Sequence, residues 1–446
     1  MEIRQPFLLI ALLCTLFSVE IAASEKQNLP QAPADADYWP VDLQEAALGQ
    51  LLFYDPILSG NRNVACATCH HPKFATADGV SLSFGDGGIG LGPARRVDPA
   101  NPPEQRIPRN APALFNLGAK EFTVMFHDGR LEAAADHPGG IRTPMDADMT
   151  QGFASILSAQ TMFPVLSRDE MAGSYDENDV AKAVRQGRIT GPDGAWNLLS
   201  QRVGSIPEYV ALFEATYPHI LTGSDIAFTD ISNAIAAFMA IEWRSDNAPF
   251  DAFLRGEAAL NASAMRGLDL FYTSAGCAAC HSGPFLTDHS FHAMGAPQIG
   301  PGKAASFETH QRDEGRFRVT GRAEDLYAFR TPSLRNVTLT APYGHAGGHR
   351  DLAAFIKDHI HPAVALDNYT IDKAILPVFE GNDFAVMADQ QQRRTLKAAI
   401  TTTPITLSDQ EISDILSFLS TLTDKESVDG RLGIPETVPS GLRLPN

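Results

Sequence analysis

Cys66-Ala67-Thr68-Cys69-His70 decides how this chain is read. Two cysteines three positions apart with a histidine directly behind them form the Cys-x-x-Cys-His attachment signature of a c-type haem. Each thiol can add to a vinyl group of the macrocycle, and the adjoining imidazole then lies under the iron as proximal ligand. The pattern recurs at Cys277-Ala278-Ala279-Cys280-His281. A redox dithiol is the alternative for one such motif, but it needs a thioredoxin-like βαβ context that this sequence does not offer. Two covalently bound haems are expected, held by Cys66, Cys69 and His70 and by Cys277, Cys280 and His281.

At 446 residues the chain is long enough for two or three domains. Its hydrophobic content of 44% suffices for a packed core. Of the five cysteines only Cys14 lies outside the two motifs, within an apolar run from Phe7 to Val19. Arg4 in front and Ala22-Ala23-Ser24 behind make that run resemble a secretory signal peptide cleaved near Ala23. It is short for a bilayer span, and bulky Leu13 before Cys14 speaks against a lipid anchor. Export to the periplasm without stable membrane insertion is expected. The formal charge of −18 argues against nucleic acid or anionic membrane as partner. A docking face for a basic electron carrier and a generally solvated acidic surface both fit it.

Residues 25–40, rich in Ala, Asp and Pro, read as a flexible mature N-terminus. A helix is expected from about Leu43 to Phe53, another from Asp225 to Trp243, and a last one after the capping box Ser408-Asp409-Gln410-Glu411. Each haem motif has a Gly-x-x-Leu-Phe-Tyr preface, at Gly49–Tyr54 and at Gly267–Tyr272. Phe74-Ala75-Thr76-Ala77-Asp78 is echoed by Phe285-Leu286-Thr287-Asp288, and Arg109–Asn116 by Arg330–Asn336. Phe126-His127-Asp128-Gly129 is echoed by Gly344-His345-Ala346-Gly347. Such a repeat implies two related haem domains. The expected fold is mainly α, two cytochrome c-like haem domains with long loops and no clear strand. The expected boundaries are a signal peptide over 1–23, a flexible segment over 24–40, an N-terminal haem domain over 41–245, a C-terminal one over 246–430, and a tail over 431–446.

The chain resembles the bacterial di-haem cytochrome c peroxidase family, which includes the MauG-type enzymes, over roughly residues 42–425. The resemblance rests on Leu52-Phe53-Tyr54-Asp55-Pro56, both haem motifs, Arg109-Asn110-Ala111-Pro112, His127-Asp128-Gly129-Arg130, Thr331-Pro332-Ser333-Leu334-Arg335-Asn336-Val337 and Thr340-Ala341-Pro342-Tyr343. It implies that the first haem meets peroxide and the second stores or relays an electron. The family's peroxide segment is matched in register by Gln160, Pro164, Val165 and Glu170, making Glu170 the acid–base and Gln160 the residue that orients water or peroxide. Without the resemblance, Glu170 reads as an exposed acid beside Arg168 and Asp169.

Two departures matter. Reductively activated relatives carry a His in the loop after the first motif; here the loop is Phe84-Gly85-Asp86-Gly87-Gly88, with Asp86 where that His would fall. A mobile loop and a first haem open to peroxide without prior reduction are expected, with His71 a poorly placed rival ligand. Many relatives also have Trp before Asp-Gly-Arg, where this chain has His127. Imidazole carries a radical less well than indole, and His127 could equally just hydrogen-bond a propionate or the loop backbone. For the second haem, the family's sixth-ligand position falls on His359, with His361 as rival and Met294 as a weaker candidate. Relatives also hold calcium between the domains; the matching positions are Asn110, Thr340 and Pro342, which could equally be an ordinary turn.

The expected activity is reduction of hydrogen peroxide to water, with electrons from a small redox protein of cytochrome c or cupredoxin type. Two alternatives stand beside it: a MauG-like enzyme that oxidises residues of a partner protein, and an electron carrier without peroxide chemistry. Insertions near 132–155 and 365–405 have no assigned role.

Overall fold

The computed structural model describes residues 29–149, 151–304 and 308–445. The expected signal peptide, with Cys14 in it, lies outside the described residues. The Asp42 carboxylate accepts the Gln44 and Glu45 amides and so starts the helix Leu43–Tyr54. Midway along it, Gly49 lies on the helix Phe228–Glu242, where a Cβ would stand 1.8 Å from the Ala234 carbonyl oxygen. Only a bare α-carbon lets the two backbones come so close. In the second half Gly267 of helix Ala262–Tyr272 meets helix Asp409–Ser420 in the same way, with a Cβ falling 1.9 Å from the Asp414 carbonyl oxygen. The glycine shared by the two prefaces is therefore a helix-crossing point. The Phe228–Glu242 helix is shorter than expected because the Asp230 side chain accepts the Ala227 amide at 2.9 Å and sets its start there.

The protein is mostly helical with a few small sheets. Gly88–Ile89 pairs with Arg96–Val97, Leu131–Ala133 with Val124–Met125 on one side and Ile141–Arg142 on the other, and Phe291–His292 with Phe329–Arg330, all antiparallel. Strands this short show no alternation for a sequence pattern to register. One apolar core gathers side chains of the first half, including Phe53, Phe213, Phe238 and Trp243. A second gathers Phe250, Phe271, Phe418 and Leu422. A third sets Leu82 of the first half among Ile299, Tyr327, Leu366 and Leu396 of the second.

Equivalent asparagines meet at the junction. Asn116 and Asn336 both have left-handed backbones, φ 63° and 61°. The Asn116 side chain takes the Ser245 amide at 2.7 Å and gives to its carbonyl at 3.0 Å, while Asn336 reaches the Ser245 hydroxyl at 3.3 Å. The segment 365–405 lies against the first half. The Ser81 amide donates to the Ile375 carbonyl, Arg106 pairs with Asp383 at 3.0 Å and donates to the Pro377 carbonyl, and Phe379 packs on Phe84. The insertion 132–155 supplies the strand Ile141–Arg142 and is tied to Asn233 through Gly152 and Ala154.

Part of the stretch read as a flexible N-terminus is held in place: Tyr38 is buried and its hydroxyl donates to Asn116 at 2.9 Å. Backbone contacts add to it, Trp39 donating to the Gly118 carbonyl and Lys120 to that of Asp37, and none of these is written in an Ala- and Pro-rich composition. At the other end, the Glu242 carboxylate accepts the amides of Arg431, Leu432 and Gly433, and Val438 is buried in the first-half core. Gly267→Ala should cost about 1–3 kcal/mol by overpacking the helix crossing, read by denaturant unfolding of the holoprotein. A loss below about 0.5 kcal/mol, the range of an ordinary surface change, would show that the crossing relaxes.

Candidate active site

Cys66–Cys69 forms a single helical turn, started by the Ala65 amide donating to Thr68 Oγ1 at 2.9 Å. His70 follows as its cap, and its Nδ1 stands 2.9 Å from the Thr76 carbonyl oxygen. A carbonyl can only accept, so Nδ1 carries the proton and Nε2 keeps its lone pair for a metal. Ala75 and Thr76, both left-handed at φ 51° and 63°, turn that carbonyl back toward the ring. The second motif repeats this: His281 Nδ1 lies 3.2 Å from the carbonyl of Leu286, itself at φ 52°. None of the four motif cysteines is in a disulfide. Burial pushes the thiols of Cys66 and Cys69 up to about 12 and that of Cys277 to about 11. A redox dithiol works through a stabilised thiolate, so these pairs do not suit that role. Free thiols beside an imidazole with its second nitrogen available fit a covalently attached haem.

Gln160 ends the short helix Ile156–Thr161. After the turn Pro164–Leu166, the Ser167 carbonyl gathers the amides of Glu170, Met171 and Ala172 in one wide turn over Arg168–Ala172. That turn separates neighbouring acids. Arg168 and Asp169 pair with each other at 3.0 Å, and Arg168 also pairs with Glu104 at the surface. Glu170 instead lies where burial raises its carboxyl above the ordinary value, partly offset by Lys303, Arg130 and a hydrogen bond from Ser167. Its charge is also felt by the Cys69 thiol of the first motif. Arg130 lies flat on Phe126, 3.7 Å from the ring centroid, and Phe126 meets Phe163 edge-on.

The loop after the first motif is not the mobile element expected from its glycines. Buried Arg95 donates to the carbonyls of Phe84, Gly85 and Gly90 at 2.5, 2.6 and 2.6 Å. The Gly85 and Asp86 amides donate to the Asp169 and Glu170 carbonyls. A Cβ on Gly85 would sit 2.2 Å from the Glu170 carbonyl oxygen, so this glycine serves close approach. The Asp86 carboxylate is taken up by Asn61 and Asn63, at 3.1 and 2.7 Å. His71 is occupied as well, its Nδ1 accepting the Lys73 amide at 3.1 Å.

His359 lies on the helix Leu352–Ile360, stacked on Phe355 at 5.3 Å. Burial pushes its imidazole down to about 4, and His281 is the first charged neighbour to add to this. His359 is thus the candidate brought to the second motif. His361 only joins two helices, and Met294 sits just past the strand Phe291–His292. His127, where relatives have Trp, donates from Nε2 to the Asn110 carbonyl at 3.1 Å, and burial pushes it down to about 3. Beside it, His345 stacks on Phe329 at 3.8 Å with both ring nitrogens buried and unpartnered. The Asn110 side chain donates through Nδ2 to the Val80 carbonyl at 2.8 Å, while its amide donates to the His345 carbonyl. That sets Asn110 against the segment that follows Thr340 and Pro342.

The halves are tied by Arg109, which pairs with Asp128 at 2.7 Å and with Asp313 at 2.6 Å, all three buried. Arg109 holds the Asp313 carboxyl down at about 2, against an ordinary 3.8. The stability this supplies is complete above the ordinary value and is lost as the pH falls through the depressed one. Unfolding free energy should therefore drop between about pH 4 and 2. Asp313→Asn should remove that slope and cost about 3 kcal/mol at neutral pH, because Arg109 stays buried and under-paired; denaturant titrations across pH read both.

Arg95, Arg109 with Asp313, and Lys303 escaped the sequence reading. Each acts through partners distant in the chain, and no spacing rule links them. The echo of Arg109–Asn116 in Arg330–Asn336 was the one available signal that Arg109 sits at a structural joint.

A profile described as di-haem cytochrome c peroxidase matches residues 43–259. The chain is 31% identical to the cytochrome c551 peroxidase of Pseudomonas aeruginosa over 320 residues, 72% of each chain. It is also 31% identical to the methylamine utilization protein MauG of Methylorubrum extorquens over 324 residues, 72% of this chain and 70% of that one. Among solved structures it is similar to a MauG-like protein associated with microbial copper homeostasis, with TM-score 0.57 and 26% identity, covering 91% of this chain and 96% of that one. The diheme peroxidase BthA from Burkholderia thailandensis E264 shares the fold at TM-score 0.57 and 20% identity, over 90% and 92% of the two chains.

Proposed function

The chain belongs to the di-haem cytochrome c peroxidase family, and from that premise we propose that it reduces hydrogen peroxide to water with electrons passed in from a small redox protein through the second haem. It is an oxidoreductase, and its cofactors are haems. When bound, each haem supplies a redox-active iron inside a macrocycle. In this reading Cys66, Cys69 and His70 would hold the first haem, and Cys277, Cys280, His281 and His359 the second. Two haem domains, 41–245 and 246–430, carry them. Asn110 Oδ1 with the Thr340 and Pro342 carbonyls is the oxygen set for a calcium ion.

Glu170 carries the reading. A carboxyl whose pKa is lifted by burial keeps its proton more readily and can move one between the two peroxide oxygens. Ser167 hydrogen-bonds it, and Gln160 would orient peroxide or water. Arg95 and the Asp86–asparagine contacts keep the 84–90 loop from supplying an alternative ligand, so this pocket needs no reductive opening. The same restraint favours the second reading, a MauG-like enzyme that oxidises residues on a partner protein. Export to the periplasm rests on the N-terminal sequence, and no helix among the described residues is long and apolar enough to cross a membrane.

Glu170→Gln should slow the reaction of the oxidised protein with peroxide by about 10²–10⁴-fold, read by stopped flow with and without a reduced cytochrome c. Fast turnover in the parent protein supports the peroxidase, and slow turnover with persistent oxidation supports the partner-modifying enzyme. An unchanged rate in the variant removes Glu170 as the acid–base, and a parent protein that gives no spectral response to peroxide leaves only an electron carrier. His359→Ala should turn the second haem from low-spin to high-spin, and an unaltered absorption spectrum excludes this residue as ligand.

A further inference from the structure

Five arginines are buried among the described residues, and each is satisfied. Arg106 meets Asp383 at 3.0 Å, Arg109 meets Asp128 and Asp313 at 2.7 and 2.6 Å, Arg316 meets Glu132 at 3.1 Å, and Arg335 meets Asp251 at 2.8 Å. Arg95 has no carboxylate but donates to three carbonyls at 2.5, 2.6 and 2.6 Å. Half-buried Arg330 is the exception. Its Nε reaches the Phe126 carbonyl at 3.3 Å and its Nη1 the Thr331 carbonyl at 3.4 Å, and Nη2 makes no hydrogen bond among the described residues. No carboxylate among them offsets its charge, and burial pushes the guanidinium down to about 10.

The backbone fixes Arg330 where the two halves exchange hydrogen bonds. Its amide donates to the His127 carbonyl at 2.8 Å, and the Asn110 amide donates to the His345 carbonyl at 2.9 Å. His127 and His345 are equivalent in the repeat, so Arg330 occupies the place that Asn110 holds in the other half. Asn110 is neutral, and its Nδ2 is spent on the Val80 and Ser81 carbonyls at 2.8 and 3.2 Å. Arg330 brings a full positive charge to the same place and spends it on two long contacts. Its strand pairs with Phe291, the Thr331 amide donates to the Ser290 carbonyl at 2.9 Å, and the Thr331 carbonyl accepts the Thr287 hydroxyl at 2.7 Å. That segment starts at Leu286, whose carbonyl aims the His281 ring. Arg330 thus stands between the buttress of the second motif and Phe126-His127 of the first half. A cation withdrawn from water is costly unless an anion meets it, and the planar fork of a guanidinium matches a carboxylate.

We propose that Arg330 is a carboxylate-binding residue at the seam between the halves, and that the carboxylate it takes is a haem propionate. This rests on the two motifs holding haems and is independent of the peroxide chemistry. The counter-ion then arrives with the cofactor, which explains why the chain supplies none. A cation at the propionate disfavours the more positive ferric state, so Arg330 holds the reduction potential of its haem up.

The test uses the holoprotein with Arg330→Gln and Arg330→Lys. Spectroelectrochemical titration gives the midpoint potential of each haem, and resonance Raman gives the propionate bending bands. Arg330→Gln should lower one haem's midpoint by about 59 mV, a tenfold change in its one-electron equilibrium, and shift the propionate band of that haem. Arg330→Lys keeps the charge and should hold the midpoint near the parent value. Midpoints that stay put in Arg330→Gln overturn the proposal, as does an equal fall in both variants, which would reflect disturbed packing rather than charge. Titrating the parent with sodium acetate identifies the source of the carboxylate. A bound propionate leaves the midpoint indifferent to acetate, whereas a midpoint that follows acetate in the parent but not in Arg330→Gln assigns the site to a soluble carboxylate and overturns the propionate. The pyridine haemochrome spectrum of the parent counts its c-type haems, and fewer than two defeats the reading of the motifs instead.

Discussion

Everything in this fold answers to one buried cation. The Arg109 guanidinium spans the two halves, with Asp128 of one and Asp313 of the other closing on it. Burying three charges is tolerable only when the pairing is geometrically complete, and removing a partner is far more costly than never having had the set. The triad therefore acts less as glue than as a register pin. Asp128 is the neighbour of His127, whose ring is hydrogen-bonded to the Asn110 carbonyl, and Asp313 is clamped to Gln298. Gly129, one residue on at φ 63°, leaves no room for a Cβ, which would stand 2.3 Å from Phe291 Cζ and 2.6 Å from Arg316 Nη1. A shift at the pin would displace the His127 imidazole and the Gln298–Asp313 clamp together.

Around that pin the halves mirror each other in backbone and differ in chemistry. Gly129 presses on the second half, and its counterpart Gly347 presses on Ser81 of the first, 2.6 Å from its Cα by the same construction. His70 and His281 are aimed by carbonyls of left-handed residues, and Asn116 and Asn336 converge on Ser245. The divergence lies in what covers each motif. The first motif is well covered, with Ala67 and Thr68 buried, and faces the segment of Gln160 and Glu170. The second exposes Ala279 and has His359 beside His281. The first motif is thus the more sheltered of the two and the second the more open.

Local chemistry was legible before any coordinates. The two Cys-x-x-Cys-His strings, the helix from Leu43, the Ser408 capping box and the mainly helical character all follow from spacing within a few turns. The matched prefaces announced the repeat, though not that their shared glycine marks a helix crossing. The resemblance brought Glu170 and His359 into view, whereas composition would have left the first as a surface acid. What stayed hidden was long-range. Glycines at 85, 87 and 88 suggest mobility until Arg95 takes up the loop's carbonyls. The 365–405 stretch has no motif, and its place against Ser81, Phe84 and Arg106 depends on contacts between residues at least 271 positions apart.

The tail carries a consequence for how the molecule is made. Glu242 accepts three successive amides at 431–433, and Ser440 donates to Asp55 at 2.7 Å, so residues translated late complete the half translated first. Folding of the N-terminal half in order of synthesis cannot finish, since it lacks part of its packing until residues 431–440 emerge. A truncation near residue 430 would therefore injure the half it does not touch.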